Sequence, residues 1–388
     1  MTTAVTRTDE ELVAAARALT PFLREHADEA ERERRLPLIV VEALKQAGAI
    51  RMTFPRSLGG LEAHPLTQFR VLEALSMADG SAGWCAYIGG AGGLFSAYLR
   101  PEVAREMFPS PDTIGGGGAR PTGRAVAVEG GYRISGRWPF GSGCQHATWL
   151  SSGCLVFDGD APRLTAEGHP ATMQCFLPAA DVQIIDTWTT TGLRGSGSHD
   201  YTIEDCFVPE ARTFDFFTSP IYEPGPLYQF RRMFLLNHAA VALGIARAAI
   251  DALVALAAAK KLSASAALRD EAYVQTAVAR AETLVGSARG YVFAVIEEIW
   301  ETLVAGGLPD AGQLARFRLA IVHSHTAAVE AVDTMYHVAG GSALYAGHPL
   351  DRMLRDIHTI NQHTIVSPKT YETAGRLLLG LDAGTPFF

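Results

Sequence analysis

The sequence predicts a mainly α-helical protein with a central β domain, and three observations carry that reading. Apolar residues recur at helical spacing in the N-terminal part; short alternating stretches bounded by glycine replace them from Thr113; long alanine-rich apolar runs fill the remainder. A chain of 388 residues has room for two or three domains. We divide it into an N-terminal helical domain (1–110), a central β domain (111–215) and a C-terminal helical bundle (216–388).

Thr8-Asp9-Glu10-Glu11 reads as a capping box, with Thr8 as the cap and Glu11 reaching back to it. Leu12, Ala15, Ala16 and Leu19 follow at helical spacing. Pro21 either kinks this helix or restarts it after Thr20. Pro37 opens a short helix stopped by Gly48, and Pro65 opens one with Leu66, Phe69, Leu72 and Leu75 on a single face. Asp79-Gly80-Ser81 breaks the pattern before an apolar stretch from Trp84 to Leu99. Gly89, Gly90, Gly92 and Gly93 in that stretch let backbone or ligand pack close, at a cost in helix propensity. Arg124 to Glu129 alternates, and strands are expected near 131–136, 147–156, 172–177, 182–187 and 200–208. That spacing suggests a barrel or a sandwich. Beyond Pro220, Pro224 and Pro226, residues 228–260, 266–305 and 310–339 read as long helices, apolar on more than one face. Such helices bury themselves best in a bundle, with surplus apolar surface for other subunits.

Composition excludes several function classes. A net charge of −8 gives no general attraction to nucleic acid or anionic membrane. Hydrophobic content of 48% against 19% charged describes a globular chain, and no charge-free run is expected to reach the ~20 residues a bilayer span needs. Residues 1–7 lack the basic start and apolar run of a secretory signal. The five cysteines are widely spaced without a Cys-x-x-Cys and read as reduced thiols, so a cytoplasmic location is expected. No Gly-x-Gly-x-x-Gly stands between strand and helix, no Walker loop is present, and Gly195-Ser196-Gly197 is not a nucleophile elbow. His323 and His325 point to different helical faces, and His358 and His363 share none, so no metal site is expected.

Two glycine-rich segments remain, and a third lies near the C-terminus. The first runs Gly130-Gly131-Tyr132-Arg133-Ile134-Ser135-Gly136-Arg137-Trp138-Pro139-Phe140-Gly141-Ser142-Gly143-Cys144. The second is Trp188-Thr189-Thr190-Thr191-Gly192-Leu193-Arg194-Gly195-Ser196-Gly197-Ser198, followed by Asp205-Cys206-Phe207-Val208-Pro209. Its small residues expose backbone N–H groups, while Arg194, Ser196 and Ser198 can donate to a phosphate or a flavin edge. A plain β-turn accounts for the same composition equally well. The third places Gly340-Gly341 before Arg352-Met353-Leu354-Arg355-Asp356, which a turn and a salt-bridged helix would explain.

Together these segments resemble the acyl-CoA dehydrogenase superfamily, and specifically its branch of two-component flavin-dependent monooxygenases. The resemblance spans nearly the whole chain and implies a helical front, a β middle and a four-helix-bundle end. It implies flavin contacts at Trp138, Phe140, Ser142, Arg194, Ser196, Ser198, Gly340, Gly341 and Arg355, some shared between subunits of a homotetramer. Where many dehydrogenases carry Tyr-Glu, with the glutamate as base, this chain has His363-Thr364. A histidine there is what the monooxygenases show. The implied activity is that of an oxygenase component. A separate NAD(P)H-flavin reductase supplies reduced FMN, oxygen adds to give a flavin hydroperoxide held near Ser142, and His363 deprotonates or orients a small aromatic, heterocyclic or amino substrate.

Some positions depart from the branch. Ser196 replaces its usual threonine, and no histidine follows Ser81-Ala82-Gly83-Trp84, which turns the reading away from a simple phenol. The dehydrogenases' adenine-binding Arg-x-x-Phe-Gly pattern is missing around 260–275, which favours FMN over FAD. The alternatives are an acyl-CoA dehydrogenase-like FAD oxidoreductase with a relocated base, and a non-catalytic flavin-binding protein.

Overall fold

The computed structural model describes residues 7–110, 112–385 and 388; residues 1–6, including most of the segment read for a secretory signal, and Pro111, at the expected domain boundary, lie outside them. Six helices form the front: α1 (Asp9–Ala18), α2 (Thr20–Glu33), α3 (Leu38–Gln46), α4 (Pro65–Ala78), α5 (Gly80–Ser96) and α6 (Pro101–Met107). The capping box is present, with Glu11 N donating to Thr8 Oγ1 and Thr8 N to Glu11 Oε2. Pro21 restarts rather than kinks, sitting in the first turn of α2 where its missing N–H is not needed. The break before Trp84 shrinks to Asp79 alone, whose carboxylate caps α5 by accepting from Ala82 N at 2.7 Å.

The glycines of α5 bring backbone close. A Cβ on Gly93 would stand 2.6 Å from Phe54 N, so the helix lies directly on the 51–54 turn. The run 80–99 carries no Asp, Glu, Lys or Arg and is as long as a bilayer span, yet nearly all of it is buried between α4 and the β domain. By length and hydropathy, one stretch among the described residues, Met233–Ala259, is long and apolar enough to cross a membrane, and 67% of its most apolar window is buried in the fold.

The middle of the chain supplies β1 (Gly115–Val128), β2 (Gly131–Trp138), β3 (Trp149–Asp158), β4 (Ala161–Pro162), β5 (Thr172–Pro178), β6 (Gln183–Ile185), β7 (Asp200–Pro209) and β8 (Thr213–Phe214). They form one sheet in the order β6-β7-β2-β1-β3-β5-β8, with β4 beside β3. Every pairing is antiparallel except β1 with β3. The choice between barrel and sandwich resolves to this single curled sheet. Ala125, Ile134, Trp138, Leu150, Cys154, Leu177 and Tyr201 fill its concave core.

The rest is helical: α7 (Pro226–Gln229), α8 (Asn237–Ala259), α9 (Ala272–Val304), α10 (Ala311–Ala339), α11 (Pro349–Ile360) and α12 (Lys369–Leu378). α10 packs on α8, α9, α11 and α12, while α8 also packs on α4 and so joins the bundle to the front. One hydrophobic core runs through both helical regions, and the β domain keeps its own.

Candidate active site

The loop after β2 turns on Phe140, which has a left-handed φ of 61°, rare for an aromatic residue. Its ring is 63% exposed and meets Trp188 edge-on at 6.4 Å. Two residues on, Ser142 is buried at the contact between the β domain and α5. Its Oγ accepts from Trp84 Nε1 at 2.9 Å and lies 2.8 Å from Ser198 Oγ, which lies 2.8 Å from Ser196 Oγ. Three hydroxyls joined by two mutual bonds keep one proton free for an acceptor at one end of the chain.

The 188–198 segment is held against the helices. Leu193 N donates to Asp356 Oδ1 at 2.6 Å, Trp188 Nε1 donates to Leu193 O, and His199 Nδ1 accepts from Thr187 N and Trp188 N. A Cβ on Gly192 would lie 2.1 Å from Arg355 O, so glycine is required where this segment meets α11. Burial and then the nearby Asp79 push the Asp356 carboxyl up to about 7.

Across Trp84 the helices bring together three histidines: His238 at the start of α8, His325 in α10, and His363 in the loop after α11. Ring centroids are 4.4 Å apart for His238 and His363 and 6.0 Å for His238 and His325. Trp84 lies 5.0 Å from His238 and 5.9 Å from His363, and Tyr87 lies 5.3 Å from His238. His363 Nδ1 accepts from Ile365 N at 3.3 Å, so the neutral ring carries its proton on Nε2 and presents a donor.

Burial holds all three rings neutral. It takes His363 down to about 4, with Arg318 adding to the effect. It takes His325 to about 3, helped by His363; the His238 carbonyl opposes this slightly without meeting hydrogen-bond geometry. It holds His238 well below its ordinary value, with the other two histidines and Arg318 contributing. Neither nitrogen of His325 has a partner within the chain, nor do His238 Nδ1 and Asn237 Oδ1. Buried polar atoms without protein partners mark where a ligand or water is accepted.

Of the residues the sequence nominated, Ser142, Ser196 and Ser198 come together, and His363 stands across Trp84 from them. The others are placed differently. The Trp138 side chain belongs to the β core: it is stacked on Tyr201 at 5.3 Å, with its N–H on Gly153 O. Arg194 donates to Glu31 O and Thr190 O, and Arg355 to Glu31, Asp351 and Thr191 O, so both guanidiniums tie the loop to α2 and α11. Gly340 and Gly341 are exposed at the end of α10, beside the exposed Leu344 and Tyr345.

Sequence reasoning missed Trp84 as Ser142's donor and passed over His238 and His325. They sit on three helices far apart in sequence, and His325 was set aside only because it does not pair with His323. Three hydroxyls and two aromatic faces on one loop pair fit a planar ring edged with hydrogen-bonding groups, so the donor set suits a flavin. Among the described residues no cluster of three or more His, Cys, Asp or Glu could hold a metal ion, and all five cysteines are free. A surface cavity of about 350 Å³ lined by Arg56, Glu62, His64 and Trp300 shares no residue with the cluster.

Comparison with known proteins shows which proteins the chain is similar to. The acyl-CoA dehydrogenase N-terminal domain matches residues 6–110, and the acyl-CoA dehydrogenase C-terminal domain matches 236–368. The chain is 33% identical over 375 residues to indole-3-acetate monooxygenase of Pseudomonas putida, spanning 94% of this chain and 93% of that one. It is 29% identical to the flavin-dependent monooxygenase oxygenase subunit HsaA of Rhodococcus jostii, spanning 91% and 94%. The structure of XiaF from Streptomyces, solved with FADH2 and glycerol, superposes with a TM-score of 0.87 at 25% identity, spanning 97% of each chain.

Proposed function

This chain belongs to the acyl-CoA dehydrogenase superfamily, in its flavin-dependent monooxygenase branch, and from that premise we propose how its residues divide the work. It is the oxygenase component of a two-component enzyme and uses reduced flavin. The substrate we assign is a small heteroaromatic molecule of the indole type, in keeping with the Pseudomonas relative's name. FMN is the flavin, a separate NAD(P)H-flavin reductase supplies it, and the enzyme works as a cytoplasmic homotetramer.

The observation that carries the division is the position of Trp84. Its N–H holds Ser142 on one side, while its ring borders His363 and His238 on the other. When bound, reduced flavin supplies the electrons that activate dioxygen. Ser142 takes the Trp84 proton donor on one lone pair. With Ser196 donating to Ser198 and Ser198 to Ser142, the Ser142 proton is free for an oxygen acceptor in a site closed to water, where a fixed donor acts strongly. His363, neutral and donating from Nε2, orients the substrate ring. The rings packed on Trp84 and His363 are Tyr87 and His238, which gives the substrate ring aromatic walls.

Rapid mixing of the protein and anaerobically reduced FMN with oxygenated buffer tests this reading. A transient absorbance longer-lived than with free flavin is expected, followed by oxygenated product when indole-3-acetate is present. Flavin bleaching by an acyl-CoA thioester without oxygen would overturn it. The same experiment with FAD, and the affinity of each reduced flavin, tests the choice of FMN.

A further inference from the structure

Arg318 lies on α10 seven residues, or two helical turns, before His325, and therefore on the same face. It is only 6% exposed. Its Nη2 donates to Ile365 O at 3.2 Å, which fixes the guanidinium beside the loop that carries His363. Nε and Nη1 have no partner within the chain. A phenyl ring, Phe388, stands 5.3 Å from Cζ.

Other partly buried arginines differ. Arg289 holds Glu73 at 2.7 Å, Arg352 holds Glu31 at 2.9 Å, and Arg355 holds Asp351 at 2.9 Å. Arg318 is in none of the ion pairs of the described residues, and the charged group felt most strongly beside it is a second cation, Arg232. Burial, then Arg232, lowers Arg318 to about 10, so it stays charged at neutral pH. A buried cation without a counter-charge is strongly unfavourable. Arg51 also lacks partners at Nε and Nη1, but it is stacked on Phe54 at 4.1 Å, with Nη2 on Leu58 O in its own loop and no part in the histidine cluster. Arg318 lies on the His325 face of its helix, and its contact at Ile365 O is two residues from His363.

We propose that Arg318 binds the carboxylate of a monoanionic substrate, an aryl- or indolyl-alkanoic acid whose ring lies among Trp84, His238 and His363. The inference rests on reading the histidine cluster as the substrate site. One unpaired guanidinium matches one negative charge, and its two free nitrogens donate to carboxylate oxygens. Held on Ile365 O, two residues beyond His363, the guanidinium places the acid group at one end of the substrate and the reacting ring at the other. An acid would thus bind in one orientation, which a neutral arene would not.

The test is calorimetric titration of the FMN-loaded protein with indole-3-acetate and indole-3-acetamide, and with 4-hydroxyphenylacetate and its amide. Wild type should prefer at least one acid over its amide by on the order of 100-fold, the worth of a charge-assisted contact. Arg318→Met should reduce that preference to near one, and Arg318→Lys should restore part of it. Arg318→Met should also melt no lower than wild type, because it removes an uncompensated buried charge; loss of melting temperature with equal weakening of acid and amide would show a packing role and overturn the proposal. So would a wild-type protein that prefers neither acid. Neither outcome depends on oxygen activation, which the flavin transient measures separately.

Discussion

The two sides of Trp84 are built on opposite principles. On the β-domain side every hydroxyl is engaged: Ser142, Ser198 and Ser196 form one chain anchored on the indole N–H, with a single proton left to donate. On the helical side His325, His238, Asn237 and Arg318 present polar atoms with no partner in the chain. A satisfied network is rigid and has one arrangement, which suits a cofactor that is the same in every turnover. An unsatisfied one is unstable alone and is completed by what enters it, which suits a substrate that must be chosen. On the proposed division of labour, the first side serves the flavin and the second selects the substrate.

Mutation can break the contrast in graded steps. The largest effect is expected from His363→Ala, which should lower product formation by about 10²–10⁴-fold while flavin affinity stays within a fewfold, read by coupled product assay and flavin titration. Full product yield would remove His363 from the chemistry. Next comes Ser142→Ala, which takes away the free hydroxyl proton and leaves the Trp84 N–H buried without an acceptor. It should shorten the oxygen-dependent flavin transient by about 10–100-fold and cost about 1–3 kcal/mol of stability.

The third step sharpens the comparison through pH. The folded pKa values of His238, His325 and His363 are all depressed, His325 to about 3 and His363 to about 4, so as pH falls below about 6.5 the unfolded chain binds protons that the folded one refuses. Their contribution is therefore full above about pH 6.5 and is lost as pH falls. Asp356 has the opposite sign: its carboxyl, raised to about 7, makes the fold weaker as pH rises from its usual value toward 7. Melting temperature should fall on acidification below 6.5, and His325→Phe should flatten that slope. An unchanged slope would mean the cluster is not neutral in the fold. The smallest effect is expected from Trp84→Phe, which keeps a ring between the two sides but removes the donor to Ser142. A severalfold loss of coupling between flavin oxidation and product should follow, measured as peroxide released per turnover.

Much of the fold was legible because it is written locally. The Thr8 box, the prolines that open α2 and α4, and the glycine-bounded strands each depend on a few neighbouring residues. The serines were legible because two short segments held all three. Arg194 and Arg355 were legible as important but not as partners of Glu31, because ion pairs from α2 to the 188–198 loop and to α11 have no local mark. Trp138 looked like a ligand-facing aromatic until the sheet turned its side chain toward Tyr201.

The sequence by itself determined the order of helical and β regions, the family and the loop chemistry, since these rest on propensity, spacing and contiguous motifs. Only the tertiary structure decided the histidine cluster. His238, His325, His363 and Arg318 come from α8, α10 and the loop after α11, and they meet because α8 and α10 pack against each other and α11 against both. Burial then sets their charge. Neither the meeting nor the desolvation is a property of any stretch of chain, so no stretch could have announced it.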